Sequence, residues 1–199
     1  MRCKALRLAC WNPDGVRGRK VELEHFLSQH GVDICLLSET FLKPDQAFRL
    51  ANYVYHRTDR PIAGGSIAIL VRRGIVHHSV PVPGVTHLEA TAVQVTSPGR
   101  LVKILAAYLS PSRPLIGANL TACFVGGLPV LLAGDLNAKH VDWNSLLNTR
   151  RGKLLCDYAE KISCLIFEPD TPTTNPYKPS ASPDVLDIAV TKDVPFRCV

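Results

Sequence analysis

Short apolar runs rich in Val, Ile and Leu alternate along this chain with amphipathic segments and Pro/Gly punctuation. Residues 6–10 read as a strand. Residues 19–30 place Val21, Leu23, Phe26 and Leu27 near one helical face, and Gly31 supplies a carboxyl-terminal stop. Residues 32–37 are almost wholly apolar, the pattern of a strand covered on both faces. Shorter strands are expected over 52–56 and 66–72, connected through Arg60-Pro61 and Gly64-Gly65. Residues 88–96 and 101–109 alternate around Ser97-Pro98-Gly99, which is a hairpin signal. A helix falls within 116–125, a buried strand over 129–133 and a further helix over 151–161, followed by short strands at 164–167 and 185–190. Strands outnumber helices, and hairpins are mixed with crossovers. The expectation is a layered α/β sandwich rather than a doubly wound parallel sheet. No repeat or linker divides residues 1–199, so a single domain is expected.

Four of these apolar runs end in polar residues suited to chemistry. LRLACWN ends at Asn12, ICLLSET at Glu39, KILAAYLSP at Tyr108, and VLLAGDLN at Asp135 and Asn137. Asp187 follows in a later apolar alternation. Open α/β sheets place ligands at the carboxyl ends of their strands. In an extended stretch Asp135 and Asn137 point to the same face, because the strand period is two. Capping at the solvent boundary accounts for one such strand end; four in one chain indicate a site.

Composition narrows the class. With 46% hydrophobic residues over 199 positions, the chain can bury about 70% of its unfolded surface. That excludes a disordered chain, a collagen and a small domain dependent on staples. No apolar run approaches the roughly 20 residues of a membrane span, so no membrane partner is expected. The start, MRCKALRLACWN, runs into Trp11-Asn12-Pro13-Asp14 and not into a small-residue cleavage site, so it fails as a signal peptide. Seven cysteines include no CxxC pair, which points to a reduced, intracellular protein and away from cysteine-bound metal. Lys and Arg total 23 against 17 Asp and Glu, and this charge of +6 favours a polyanionic partner.

The candidate set offers carboxylates (Glu39, Asp135, Asp187), carboxamides (Asn12, Asn137) and hydroxyls (Tyr108, Thr173). The chain has no thiolate–imidazole pair, no GxSxG elbow and no glycine-rich phosphate loop. An oxygen-rich, nitrogen-poor donor set suits Mg²⁺, with Mn²⁺ as the alternative. Such an ion binds through substrate phosphate, so phosphoester hydrolysis is the natural reaction class.

Trp11-Asn12, Leu37-Ser38-Glu39-Thr40, Tyr108-Leu109-Ser110-Pro111 and the run 134–140, GDLNAKH, resemble the endonuclease/exonuclease/phosphatase family, whose fold is that of DNase I. The finer pattern is similar to the endonuclease domain of jockey-like non-LTR retrotransposons. Trp143, Arg151-Gly152, Pro172-Thr173-Thr174-Asn175-Pro176 and the run 183–189, PDVLDIA, follow in the order found there. The resemblance implies a four-layer α/β sandwich, two packed mixed β-sheets flanked by helices. It further implies a Mg²⁺-dependent enzyme that nicks double-stranded DNA and leaves a 3′ hydroxyl to prime reverse transcription. It would act inside the cell, in the nucleus, with a reverse transcriptase domain downstream in the same polypeptide.

Residue by residue, the resemblance makes Glu39 the main metal ligand, with Asn12 and Asp14 beside it. Asp135 would position or deprotonate the attacking water, Asn137 would hold the scissile phosphate, and Tyr108 would donate its hydroxyl to a phosphate oxygen. Thr173 would contact phosphate, with Thr174 the lesser candidate, and Asp187 would orient a histidine. Basic candidates for the DNA backbone are Arg17, Arg19, Lys20 and Lys139, and beyond them Arg57, Arg60, Arg72 and Arg73. His140 reads as structural or at the rim of the site, and His77, His78 and His87 as surface residues flanking strands. The family closes with a Ser-Asp-His motif on a last strand, and no such motif precedes Val199. The expectation is a polypeptide cut before its final strands, nicking poorly by itself because a general acid/base group is missing. The alternatives are an abasic-site endonuclease or other phosphoesterase of the same superfamily, and a catalytically dead DNA-binding or interaction fragment. Pro111 stands where some relatives that cleave abasic sites carry an Asn.

Overall fold

In a computed structural model of the chain, the structure describes residues 6–60, 65–97, 99–174 and 182–194. Ten strands and three helices lie among them: β1 (Leu8–Trp11), α1 (Lys20–Gln29), β2 (Ile34–Leu37), β3 (Tyr53–Thr58), β4 (Ile67–Arg72), β5 (His77–Val80), β6 (Glu89–Ser97), β7 (Arg100–Tyr108), α2 (Gly117–Phe124), β8 (Val130–Asp135), α3 (Arg150–Lys161), β9 (Leu165–Phe167) and β10 (Asp187–Lys192). One sheet runs β1-β2-β4-β3 and the other β5-β6-β7-β8-β10-β9. Both are mixed. β1 is parallel to β2 and β7 to β8, whereas β6–β7 and β8–β10 are antiparallel.

Strand alternation explains the layers. On β2 and β4, Cys35, Leu37, Ala68 and Leu70 turn to one face and pack with Leu23 and Leu27 of α1. Ile34, Leu36, Ile69 and Val71 turn to the other face and meet Val93, Val102, Ile104, Leu131 and Ala133 of the second sheet. That sheet's reverse face, including Leu105, Ala107 and Leu132, packs with Leu120 and Phe124 of α2 and Leu155 of α3. The order is helix, sheet, sheet, helices. Each fully buried Leu or Ile contributes about 1.5–3 kcal/mol relative to exposure. The four-layer sandwich expected from the sequence is the fold observed.

Several boundaries differ from the sequence reading. The expected strand over 185–190 begins at Asp187, because the Thr173 hydroxyl oxygen accepts the N–H groups of Leu186 and Asp187 at 2.9 and 3.1 Å. Asp187 therefore opens a strand rather than closing one. His77 and His78 do not flank a strand but start β5, which pairs with β6 along the sheet edge. His77 Nε2 lies 2.9 Å from His56 Nε2 of β3, and its Nδ1 lies 2.7 Å from the Ile75 carbonyl oxygen. The Ile75 carbonyl can only accept, so Nδ1–H donates to it, and the contact between the two rings links the first sheet to the second. The hairpin closes at Ser97 opposite Arg100. Its Pro98, together with Pro61, Gly64, Cys3, Asn175 and Pro176, lies outside the described residues.

Candidate active site

The carboxyl ends of β1, β2, β7 and β8 and the amino end of β10 converge where the two sheets meet. β10 runs antiparallel to β8, with Asp187 registered opposite Asp135, so its first residue arrives where its neighbour's last one does. Beyond β1 the chain turns back along the segment after β2, with Gly15 and Val16 donating N–H groups to the carbonyls of Glu39 and Thr40 at 2.9 and 3.1 Å. Asn12 and Glu39 are thereby brought together from separate strands. Asn12 Nδ2 donates to Glu39 Oε2 at 2.7 Å and to Asp135 Oδ2 at 3.3 Å, and Asn12 Oδ1 accepts the N–H of Asp14 at 3.1 Å. Tyr108 donates its hydroxyl to Glu39 Oε1 at 2.5 Å. One amide and one phenol thus orient both oxygens of Glu39. Asp135 Oδ1 accepts the N–H of Asn137 at 2.9 Å, and Asn137 Nδ2 donates to the Leu109 carbonyl at 3.0 Å.

Three of these residues share an uncommon backbone conformation with several residues elsewhere in the chain. Asp14, Glu39 and Asn137 adopt φ values of +48°, +47° and +46°. For a residue such as Glu this left-handed conformation costs about 1–2 kcal/mol. It persists because the surrounding network fixes it, as at many functional sites.

Charge is concentrated here without compensation. Among the described residues, none of Glu39, Asp135 and Asp187 is paired with Lys, Arg or His. Burial and the neighbouring charges of Asp187 and Glu39 push Asp135 up to about 7, against the opposing hydrogen bonds from Asn137 N–H and the Asn12 amide. Burial raises Asp187 to about 6, with the Thr173 hydroxyl opposing and the Glu39 charge adding to the rise. Burial and the Glu39 carboxylate push the Tyr108 hydroxyl far up, so it remains a donor. Burial and the Asp187 charge likewise keep Cys10 a thiol, with Sγ 4.0 Å from Asp187 Oδ1.

Other expected residues fall in different places. Asp187 has Thr173 and Cys10 as its recorded side-chain partners among the described residues, and no histidine. Lys139 Nζ is 2.7 Å from Asp184 Oδ2, so its charge is held by an internal ion pair. Arg19 and Lys20 reach Glu22 and Glu24 along α1 at 3.4 and 3.7 Å, and Arg17 is exposed. Arg57, Arg60 and Arg72, read as backbone contacts, instead pair with Asp59, Glu89 and Asp33 at 2.9, 2.8 and 3.1 Å. The Arg60–Glu89 pair holds the loop after β3 to β6, and Arg57 holds the segment before β3 by donating to the Gln46 and Pro44 carbonyls.

Two contributors were not singled out for the site. Glu89 stands opposite Tyr108 in register, held by Arg60 and by the Ser66 N–H at 2.7 Å, and burial raises its pKa despite both. Arg151, noted only as the start of a helix, donates to the carbonyls of Asn137 (3.3 Å), Arg113 (2.5 Å) and Pro111. It clasps the loop carrying Asn137 to the loop after β7. Its position beside Gly152 in the motif order was the signal.

The Endonuclease/Exonuclease/phosphatase family profile matches residues 10–198. The chain belongs to this family. It is 29% identical over 198 residues to a probable RNA-directed DNA polymerase from transposon BS of Drosophila melanogaster, covering 96% of this chain and 22% of that protein. It is 26% identical over 189 residues to the RNA-directed DNA polymerase from mobile element jockey of the same organism, covering 94% and 21%. The jockey-like resemblance read from the motifs is met again here. The chain spans about a fifth of the length of these relatives. Among solved structures, the endonuclease domain of TRAS1, a telomere-specific non-LTR retrotransposon, superposes with a TM-score of 0.79 at 18% identity, over 95% of this chain and 86% of that one. An AP endonuclease from Archaeoglobus fulgidus gives a TM-score of 0.64 at 13% identity, over 94% and 86%. At these identities the superpositions speak to the fold.

Proposed function

We propose that this chain is the DNA-nicking domain of a non-LTR retroelement polypeptide, hydrolysing a phosphodiester with Mg²⁺ or Mn²⁺ and leaving a 3′ hydroxyl for a reverse transcriptase. One observation carries the reading: three carboxylates with no cationic partner among the described residues converge with Asn12, Tyr108 and Asn137 at the strand ends. The donor set is oxygen throughout, which fits a hard divalent ion, and the uncompensated charge gives it a reason to bind. Glu39 would hold the ion, with Asn12 and Asp14 beside it; among these groups the Asn12 amide bridges Glu39 and Asp135 through its N–H₂. When bound, the ion supplies charge neutralisation at the phosphate and stabilises the departing oxygen.

The chain's own groups account for the rest. Asp135 is fixed by two hydrogen bonds, and its burial raises its affinity for a proton, which suits it to take one from the attacking water. Tyr108 and Asn12 keep Glu39 aimed. Asn137 keeps one amide N–H beyond its bond to Leu109 for a phosphate oxygen. Thr173 accepts two backbone N–H groups and retains its O–H for phosphate or for Asp187. Arg17, Arg19 and Lys20, on the loop and helix after Asn12, supply backbone affinity.

The test is the full-length polypeptide on supercoiled plasmid with Mg²⁺. Nicked circles whose ends a DNA polymerase extends are expected, and none when the ion is chelated. Ends that need a phosphatase before extension, or nicking that survives chelation, would overturn the reading.

A further inference from the structure

Beyond β8 the chain makes an excursion whose base is closed by the Thr149 N–H donating to the Lys139 carbonyl at 2.9 Å. Inside it, residues Val141–Trp143 form one 3₁₀ turn. Trp143 is buried, donates its indole N–H to the Ala138 carbonyl at 3.1 Å, and packs against the His140 ring at a centroid distance of 5.0 Å. His140, Asp142 and, from the facing side of α3, Cys156 bring one ligand-capable atom each to within 4.8 Å of one another. His140 Nδ1 lies 3.3 Å from Asp142 Oδ2, and Cys156 Sγ lies 3.5 Å from that same oxygen.

These separations match a coordination polyhedron. Zinc bonds of about 2.3 Å to sulfur and about 2.0–2.1 Å to nitrogen or oxygen give tetrahedral edges of about 3.3 Å for N–O and about 3.5 Å for S–O. Two of the three edges are therefore already at metal-bound length. Without an ion, His140 Nδ1 accepts the Asp142 N–H at 3.2 Å and Asp142 Oδ2 accepts the Cys156 S–H, two contacts that a shared cation would replace. One sulfur, one nitrogen and one oxygen form a mixed set that suits a borderline-soft ion and not Mg²⁺.

We propose that His140, Asp142 and Cys156 form a Zn²⁺ site, tetrahedral with its fourth position open to water, that staples the 3₁₀ turn to α3. This site is separate from the oxygen donors around Glu39. Its ligand spacing escapes a search for paired cysteines, because Cys156 finds its partners on a turn fourteen and sixteen residues earlier. Binding replaces the Cys156 S–H bond with a zinc–thiolate bond and passes the proton to solvent, so affinity rises with pH. The staple tightens the excursion that follows Asn137.

The test is Co²⁺ titration of the whole chain after chelator treatment. One equivalent is expected to bring a thiolate-to-Co²⁺ charge-transfer band and the visible bands of tetrahedral Co²⁺, both removed by added Zn²⁺ and unaffected by Mg²⁺. Cys156→Ser loses the charge-transfer band. Asp142→Asn, at an exposed position, keeps the fold and weakens Zn²⁺ by at least about tenfold, the loss that even an outer-shell partner brings. Cys164→Ser changes neither. No band in the unsubstituted chain, a band that survives Cys156→Ser, or one lost instead with Cys10→Ser would overturn the proposal. If Cys156→Ser fails to fold, unaltered Zn²⁺ affinity in Asp142→Asn does so.

Discussion

Asp187 carries the charge conflict of the site in a single side chain. Burial, with the Glu39 charge adding to it, raises its carboxyl from 3.8 to about 6 against the opposing Thr173 hydroxyl. A raised value means that the folded state holds the proton more tightly than the unfolded chain. The associated stability is complete below about pH 3.8 and is lost as pH rises through about 6. Asp187→Asn removes the titration. In chelator at neutral pH it is expected to melt higher than the parent, by roughly 1–3 kcal/mol, with the gap closing toward pH 4. Thermal melts across that range check it, and a variant less stable at neutral pH contradicts it. The residues on strand ends were legible in the sequence because an apolar run that stops at a carboxylate is a one-dimensional signal. Arg151 was not, since all its recorded partners are backbone carbonyls that carry no residue identity. The ion pairs of Arg60 and Arg72 were hidden for a different reason: each partner, Glu89 and Asp33, is set by the tertiary fold, and a basic residue alone reads the same on a loop or at an interface.

Two glycines fix how elements approach one another. A Cβ at Gly134, where φ is +148°, would lie 1.9 Å from the Ala107 carbonyl oxygen of the neighbouring strand. At Gly152 it would lie 1.8 Å from the Lys139 carbonyl oxygen, so α3 reaches the loop beyond the site only with a bare backbone. Gly152→Ala is expected to lower stability by at least about 1–3 kcal/mol, because both sides of the clash are main chain. Gly117→Ala, with nothing within 4 Å in α2, is expected to be neutral or stabilising by up to about 1 kcal/mol. Denaturant midpoints for the pair check the contrast, and equal effects contradict it. At this scale the long apolar strands were readable from their alternation. β5 was not, because His77-His78-Ser79-Val80 lacks an apolar face and is a strand only through its pairing with β6. The start of β10 was displaced by Thr173, a partner that sequence periodicity cannot contain.

Across the whole molecule, the two sheets give one site that neither builds alone. The first sheet supplies Asn12 and Glu39, and the second supplies Tyr108, Asp135 and Asp187. A chain with a charge of +6 thus holds an acidic centre, and under the proposed function its exposed basic residues, Arg17 foremost, would face the phosphate backbone. The role of Glu39 separates a metal-dependent phosphodiesterase from a DNA-binding fragment most directly. The measurement is plasmid nicking in Mg²⁺ by the full-length polypeptide and by its Glu39→Ala variant, with DNA affinity followed in parallel. Nicking is expected to fall by a factor on the order of 10²–10⁴ or more while affinity stays within about threefold. Nicking at the parental rate by Glu39→Ala would contradict the assignment of the site.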